Sequence, residues 1–410
     1  MTKIKNFKLE KFFIIAIIIS LAFENFQLLE IAGGAFKPTQ VIAILSIACI
    51  VLRRGIVRKS FMYCIAFLVI PLFPLYRIND MIEFLKTYLS YAIIVMFVCL
   101  VMPHLQKVFC TDFNKYLRCF NTVIAIVCVL GIVQFLMMNL FGIFFLDGVF
   151  GPFEFHPNLY GQEAGMYRAF SLFHEPSYFG WVCDIALAIN LAFKNDGGQK
   201  EIKRYSLIAL IITAIFMSLS SSAIWIMVIL LALNLLMIKR ANKTHTILAL
   251  AGVVVLVFVV TIFDFSFVSD SMSRLFTETN VEGTSAYERL VTPFEYIKKT
   301  MENYPLFGRG MGQEGNVDAV GIIGKYPGVH NSIFGAIVTL GLTAIAFYTW
   351  IVSRFFGKRF KKLFHKERIL LFVSIFGMYF STGAFISFDT FIFTAIILLF
   401  VGGINYIQER

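Results

Sequence analysis

The sequence predicts an all-α fold, a polytopic transmembrane helical bundle with about 12 spans and a large outer loop containing short helices. Hydrophobic residues make up 59% of its 410 positions and charged residues only 15%, against roughly 25% charged in soluble domains. Too little polar surface remains to cover a water-soluble globule. Apolar runs approaching the roughly 20 residues needed to cross a hydrocarbon core recur along the chain, and basic segments separate every second pair of them.

Lys3, Lys5, Lys8 and Lys11 precede the first apolar run, 12–29. It reads as a retained helix, because a persuasive small-residue cleavage site is missing and many runs follow. Further runs cover 38–52, 61–76, 82–102, 119–140, 176–193, 205–219, 222–238, 246–264, 331–352, 369–385 and 389–405. With the N-terminus inside, the inner segments carry Arg53, Arg54, Arg58 and Lys59, then Lys107, Lys115 and Arg118, then Lys194, Lys200, Lys203 and Arg204, then Lys239, Arg240 and Lys243. Seven more basic residues follow from Arg354 to Arg368. This is the positive-inside pattern. The net charge of +11 then reflects anchoring near anionic lipid, and nucleic-acid binding is an unnecessary explanation. The seven cysteines fall in spans or inner loops without CxxC spacing, which suggests neither a disulfide framework nor a zinc site. The chain, 1–410, reads as one integral membrane domain.

Two outer segments are too long for plain connectors, 141–175 and 265–330, the second lying between spans 9 and 10. Long ordered loops are usually functional. Thr292-Pro293-Phe294-Glu295 reads as a capping box with proline at the first helical position. A short helix should follow, with Phe294, Ile297 and Met301 on the face that meets the membrane surface or the bundle. Phe307-Gly308-Arg309-Gly310-Met311-Gly312 looks like a glycine-rich phosphate loop but lacks the preceding strand and the following Lys-Ser/Thr. Its glycines read as a flexible turn after the Pro305 helix stop.

The outer side of a cell membrane has no nucleotide-sugar supply, so a donor used there must arrive activated on a carrier. In a generally acidic outer setting stand Arg168, Arg274, Arg289, Arg309 and Lys325. Isolated arginines suit bidentate binding of a diphosphate, while Arg274 and Lys325 equally suit surface ion pairs or lipid headgroups. His174-Glu175-Pro176-Ser177 enters the sixth span with Glu175 at the N-cap. A carboxylate there serves either the helix dipole or a sugar hydroxyl. His330-Asn331 opens the tenth span, and a histidine there serves as an interfacial cap or as a general base. Asp184, Asn190 and Asn234 fall inside spans, with Glu24 near an outer end. Intramembrane ionisable groups usually have a purpose, but one buried Asp is thin support for a proton-coupled transporter.

Three segments resemble the O-antigen polymerase and O-antigen ligase superfamily of bacterial membrane glycosyltransferases. They are Arg168-Ala169-Phe170-Ser171-Leu172-Phe173-His174-Glu175-Pro176-Ser177, then Glu288-Arg289-Leu290 with Tyr304-Pro305-Leu306-Phe307-Gly308-Arg309-Gly310, then His330-Asn331-Ser332 with Gly341-Leu342. The resemblance covers roughly 120–355, and the first hundred residues match only in hydropathy. It implies a multi-pass helical protein of the bacterial cytoplasmic (inner) membrane whose active site faces the periplasm or cell exterior. It also implies transfer of glycan from polyprenyl diphosphate without nucleotide, cofactor or catalytic metal. Arg168 and Arg289 then match diphosphate-binding arginines, Arg309 joins them as a third candidate, and His330 is the candidate base with Glu175 as its rival. The implied partners are polyprenyl-diphosphate-linked donor and acceptor, membrane lipid and a chain-length regulator, with no nucleic acid. Glu175-Pro176-Ser177 tips the reading towards a repeat-unit polymerase. The rivals are an O-antigen ligase acting on a lipid core and, from another class, a lipid-linked oligosaccharide flippase or transporter.

Overall fold

The computed structural model describes residues 8–31, 34–144, 146, 149, 162–163, 166–193, 201–237, 291–313, 331–356, 365–382 and 388–409. Among them the strands form only two short antiparallel hairpins, Leu29–Ile31 with Gly34–Phe36 (β1, β2) and Gln162–Glu163 with Met166–Tyr167 (β3, β4). The rest is chiefly helix. The helices α1 (Lys8–Ser20), α2 (Pro38–Arg54), α3 (Arg58–Arg77) and α4 (Met81–Thr111) come first, followed by α5 (Phe113–Phe141), α6 (Pro176–Ala192), α7 (Glu201–Met217) and α8 (Ser221–Met237). After them come α9 (Thr292–Asn303), α10 (Ser332–Leu340), α11 (Thr343–Phe356), α12 (Lys366–Ser381) and α13 (Phe388–Glu409). Among the described residues α3, α4 and α5 are long and apolar enough to cross a membrane. At 1.5 Å per residue, the 29 residues of α5 reach about 44 Å, beyond a hydrocarbon core of about 30 Å.

Local sequence explains several helix ends. Asp80 caps α4 by accepting from the backbone N–H of Ile82 and Glu83, both at 3.0 Å, and Gly142 closes α5 in the left-handed conformation. Apart from Asp184 and Asn190 the interior of α6 is apolar around its circumference, and every residue in it except Ser177 and Tyr178 is buried. Such a helix belongs inside a bundle, and α6 packs on α7, α8 and α12. A Cβ at Gly180 would come within 2.5 Å of the Ala223 Cβ, so the missing side chain is what lets α6 and α8 approach so closely.

Contacts between helix ends fall into two groups. In the first Glu10 pairs with Arg54 and Lys11 with Asp112, in company with Arg58, Lys115 and Arg118. In the second group Glu24 meets Lys37 and the 166–175 segment, and that segment meets the turn from α7 to α8, while Asn331 and Ser332 meet Phe380 and Thr382. Apolar side chains gather in two clusters. The larger is centred on α6 and joins α1, α5, α7, α8, α12 and α13. The smaller joins α3, the first part of α4, α10 and Met311.

Several sequence expectations change here. The run 12–29 stops being α-helical at Ser20 and ends in a tight turn, Leu21–Phe23, because Glu24 leaves the helix axis for an ion pair with Lys37. The run 61–76 tightens into 3-10 turns over Ile70–Arg77 around Pro71 and Pro74, and the run 82–102 continues to Thr111 through a widened turn, Phe97–Val101. The run 331–352 is broken at Gly341 into α10 and α11. The capping box at Thr292 does not form: Val291 occupies the N-cap, and the Thr292 hydroxyl, inside the first turn, has no hydrogen-bond partner. The short helix exists but is turned by one position, burying Pro293, Tyr296 and Thr300 and leaving Phe294 exposed. The ninth run, 246–264, lies outside the described residues.

Candidate functional site

The Glu-Pro-Ser segment is reached through a buried connection, Tyr167–Glu175, whose backbone is satisfied by side chains of α5. The Gln134 Oε1 accepts from the N–H of Phe170 at 2.9 Å and of Ser171 at 2.8 Å. Asn139 bonds both backbone groups of Tyr167. Ser171 adopts φ 54°, a left-handed conformation that costs a non-glycine residue about 1–2 kcal/mol and that its surroundings must impose. Its hydroxyl donates to the Val127 carbonyl at 2.8 Å. Arg168, half-buried, donates from Nε to the Ser218 carbonyl at the end of α7 at 3.3 Å.

This connection carries His174 onto Glu24. The His174 Nδ1 lies 2.9 and 3.0 Å from the two Glu24 carboxylate oxygens, and its backbone N–H donates to the same carboxylate at 3.3 Å. Lys37, at the N-cap of α2, donates from Nζ to Glu24 Oε1 at 3.0 Å. All three residues are buried. Burial alone would raise the Glu24 carboxyl, but the Lys37 charge and the hydrogen bonds from Lys37 and His174 outweigh it and hold the group at about 2. The result is a three-membered latch joining the end of α1 and the start of α2 to the start of α6.

Glu175 follows at the N-cap of α6 without making a capping bond. Its Oε2 accepts from the Ser177 hydroxyl at 2.9 Å, and its Oε1 stands 4.0 Å from His174 Nε2. The Glu175 side chain is 39% exposed. Within Glu-Pro-Ser, the proline opens the helix and the serine fixes one carboxylate oxygen. An exposed, oriented carboxylate beside a histidine can accept a proton from a hydroxyl.

The second motif region is built differently. Gly308, Gly310 and Gly312 have φ of 64°, 99° and 70°, so the turn Pro305–Gln313 reverses repeatedly in a region that favours glycine. It presses into the break between α10 and α11. Arg309 and Gly310 donate their backbone N–H to the Val338 and Thr339 carbonyls at 2.9 and 3.1 Å, and Leu342 donates to Pro305 O at 2.8 Å. A Cβ at Gly308 would meet backbone atoms of Val338, Thr339 and Gly341 at 2.5–2.6 Å. The expected flexible turn is therefore a backbone-to-backbone lock, which corrects the sequence reading. Phe307 stacks on Phe73 at 4.6 Å, Arg77 lies 4.5 Å over Tyr304, and Gln313 accepts from the Asn79 N–H at 3.3 Å.

Arg309 is buried. Its Nε donates to the Thr300 hydroxyl at 3.2 Å and its guanidinium lies 5.7 Å from the Tyr296 ring, so it holds α9 against the turn. Asn331 is the N-cap of α10, accepting from Ile333 and Phe334 and donating to the Phe380 carbonyl at 3.0 Å. His330 stands one residue before that cap. His330, Arg289, Arg274 and Lys325 lie outside the described residues.

Arg168 and Glu175 thus share one loop, while Arg309 belongs to the glycine-turn region. Sequence reasoning missed His174 and Lys37 as partners of Glu24. The one legible signal was the pair of charges, Glu24 and Lys37, flanking a short segment between two apolar runs.

The family model described as WcaD colanic acid polymerase matches residues 13–401, nearly the whole chain. No curated protein matches it.

Proposed function

We propose, on the premise that this chain belongs to the WcaD colanic acid polymerase family, that it moves a polyprenyl-diphosphate-linked glycan onto the next lipid-linked repeat unit. Family membership implies a membrane glycosyltransferase-type polysaccharide polymerase whose substrate is a lipid-linked oligosaccharide. The match along 13–401 carries the reading, and the exposed, serine-held Glu175 beside Arg168 supports it. In the proposed topology about 12 spans place Glu175 on the extracytoplasmic side.

Displacement at the anomeric carbon leaves negative charge on the diphosphate. Guanidinium groups at Arg168 and Arg289 stabilise that charge, a task worth about 10²–10³ in rate per donor, so that a metal is not required; Arg309, engaged with Thr300 and Tyr296, is the third candidate only if it leaves them. Glu175 takes the proton of the acceptor hydroxyl as that oxygen attacks from the face opposite the leaving group, which inverts the anomeric carbon. His330 is the competing base.

The test is incubation of the purified full-length protein in nanodiscs with a polyprenyl-diphosphate-linked repeat unit, with EDTA and without nucleotide. A ladder of longer lipid-linked products is expected. Product formation only with a divalent ion would overturn the metal-free mechanism, and single transfer to a lipid core alone would make the protein a ligase. An inactive Glu175→Gln variant that still binds donor, alongside an active His330→Ala, assigns the base to Glu175. The reverse result moves it to His330.

A further inference from the structure

Among the described residues, the buried Glu24–Lys37–His174 latch stands beside a proposed reacting group, Glu175. The Glu24 carboxylate embraces Nδ1 of His174 with both oxygens, 2.9 and 3.0 Å away. A carboxylate only accepts hydrogen bonds, so the proton at that end of the ring belongs to Nδ1. The opposite nitrogen, Nε2, then faces Glu175 Oε1 at 4.0 Å, while Ser177 keeps the other Glu175 oxygen turned aside at 2.9 Å. Among the described residues, groups facing the imidazole include Glu24 at the end of α1, Lys37 behind it on α2, and Glu175 and Tyr178 at the start of α6, the Tyr178 ring centroid 4.3 Å away.

From this geometry we infer that His174 is a positioning and proton-relay residue for Glu175, with Glu24 fixing its tautomer and stabilising its protonated form. The inference rests on Glu175 being the base that serves the acceptor. In the step, the acceptor O–H bond breaks and its proton joins Glu175 while the acceptor oxygen bonds the anomeric carbon. The carbon–oxygen bond to the diphosphate breaks with its electron pair leaving on the diphosphate. The Glu175 proton then passes to Nε2, giving an imidazolium between two carboxylates, and returns through the exposed Glu175 carboxyl to water before the next turnover. Lys37 matters because it keeps Glu24 ionised, and an ionised Glu24 is what favours the imidazolium.

Two measurements on the full-length protein test this. Nitrogen-15 NMR of histidine-labelled protein, with the His174 signal assigned by its loss in His174→Gln, should show the Nδ1–H tautomer. Its titration should fall to lower pH in Glu24→Gln and in Glu175→Gln, since each removes a negative neighbour of the imidazolium. An Nε2–H tautomer, or a titration that ignores Glu175→Gln, would overturn the relay. Single-turnover transfer against pH supplies the second measurement. His174→Gln should lower the rate by about 10–100-fold with donor binding within about two-fold, and Glu24→Gln should move the acid limb to lower pH. An unchanged acid limb in both variants, with only lower melting temperatures, would reduce the latch to a structural brace. Absence of transfer by the wild-type protein would instead count against the polymerase reading, and the NMR result would still decide the relay.

Discussion

The two motif regions of the bundle are held by opposite means. Around Glu175 the fixing is done by side chains: Gln134, Asn139 and Glu24, the last backed by Lys37, reach into a connection whose own residues are ordinary in size. Around Gly308 it is done by backbone against backbone, with side chains removed so that two chain segments can touch. A charge-held site can be altered one group at a time and still fold, whereas a glycine-held junction has no room for any addition. The first arrangement suits proton chemistry and the second suits a rigid hinge between α9, α10 and the end of α3.

The sharpest way to break this contrast is Gly308→Ala. The new Cβ would meet backbone at 2.5 Å at a φ of 64°, so strain and overpacking together should cost about 4 kcal/mol. Fluorescence-detected unfolding in detergent should show little folded protein. A melting temperature equal to wild type would disprove the lock.

On the charged side, Lys37→Met leaves a buried carboxylate with one partner fewer. The expected loss is about 3 kcal/mol. The accompanying pH dependence has a definite sign. Glu24 is held at about 2 in the folded protein against 4.5 unperturbed, so its ionised form contributes stability that is complete above about 4.5 and lost as pH falls through about 2. The melting difference between wild type and Glu24→Gln should rise as His174 gains its proton beside the carboxylate and then shrink below about 4.5 as Glu24 is neutralised. A difference that keeps growing below about 4.5 contradicts the latch.

Arg168→Ala addresses chemistry more than folding. If the guanidinium holds diphosphate, single-turnover transfer should drop by about 10²-fold, with Arg168→Lys only a partial substitute because it lacks the planar fork. Near wild-type transfer in Arg168→Ala would confine that arginine to bracing the end of α7 through Ser218.

The smallest effect belongs to a control, Gly142→Ala. Its φ is similar at 66°, but a Cβ there meets nothing within 4 Å, so only the backbone penalty of about 1 kcal/mol should appear. A loss as large as that of Gly308→Ala would mean that φ alone, and not close approach, governs both sites.

Hydropathy and charge alternation determined from the sequence that this is a helical membrane protein, because crossing a bilayer requires long apolar runs with internally satisfied backbones. The Pro176 start of α6 and the helix after Val291 were legible as well, since proline and turn chemistry act over a few residues. What only the tertiary structure decided are the relations between distant segments. His174 meets Glu24 across 150 positions, Gly308 meets Gly341 in the break of a run that hydropathy reads as continuous, and α9 turns Tyr296 inward because Val338 and Arg309 wait there. Apolar periodicity says that a residue is buried but carries no information about its partner, and the partner decides whether a buried carboxylate, a glycine or an arginine serves packing or chemistry.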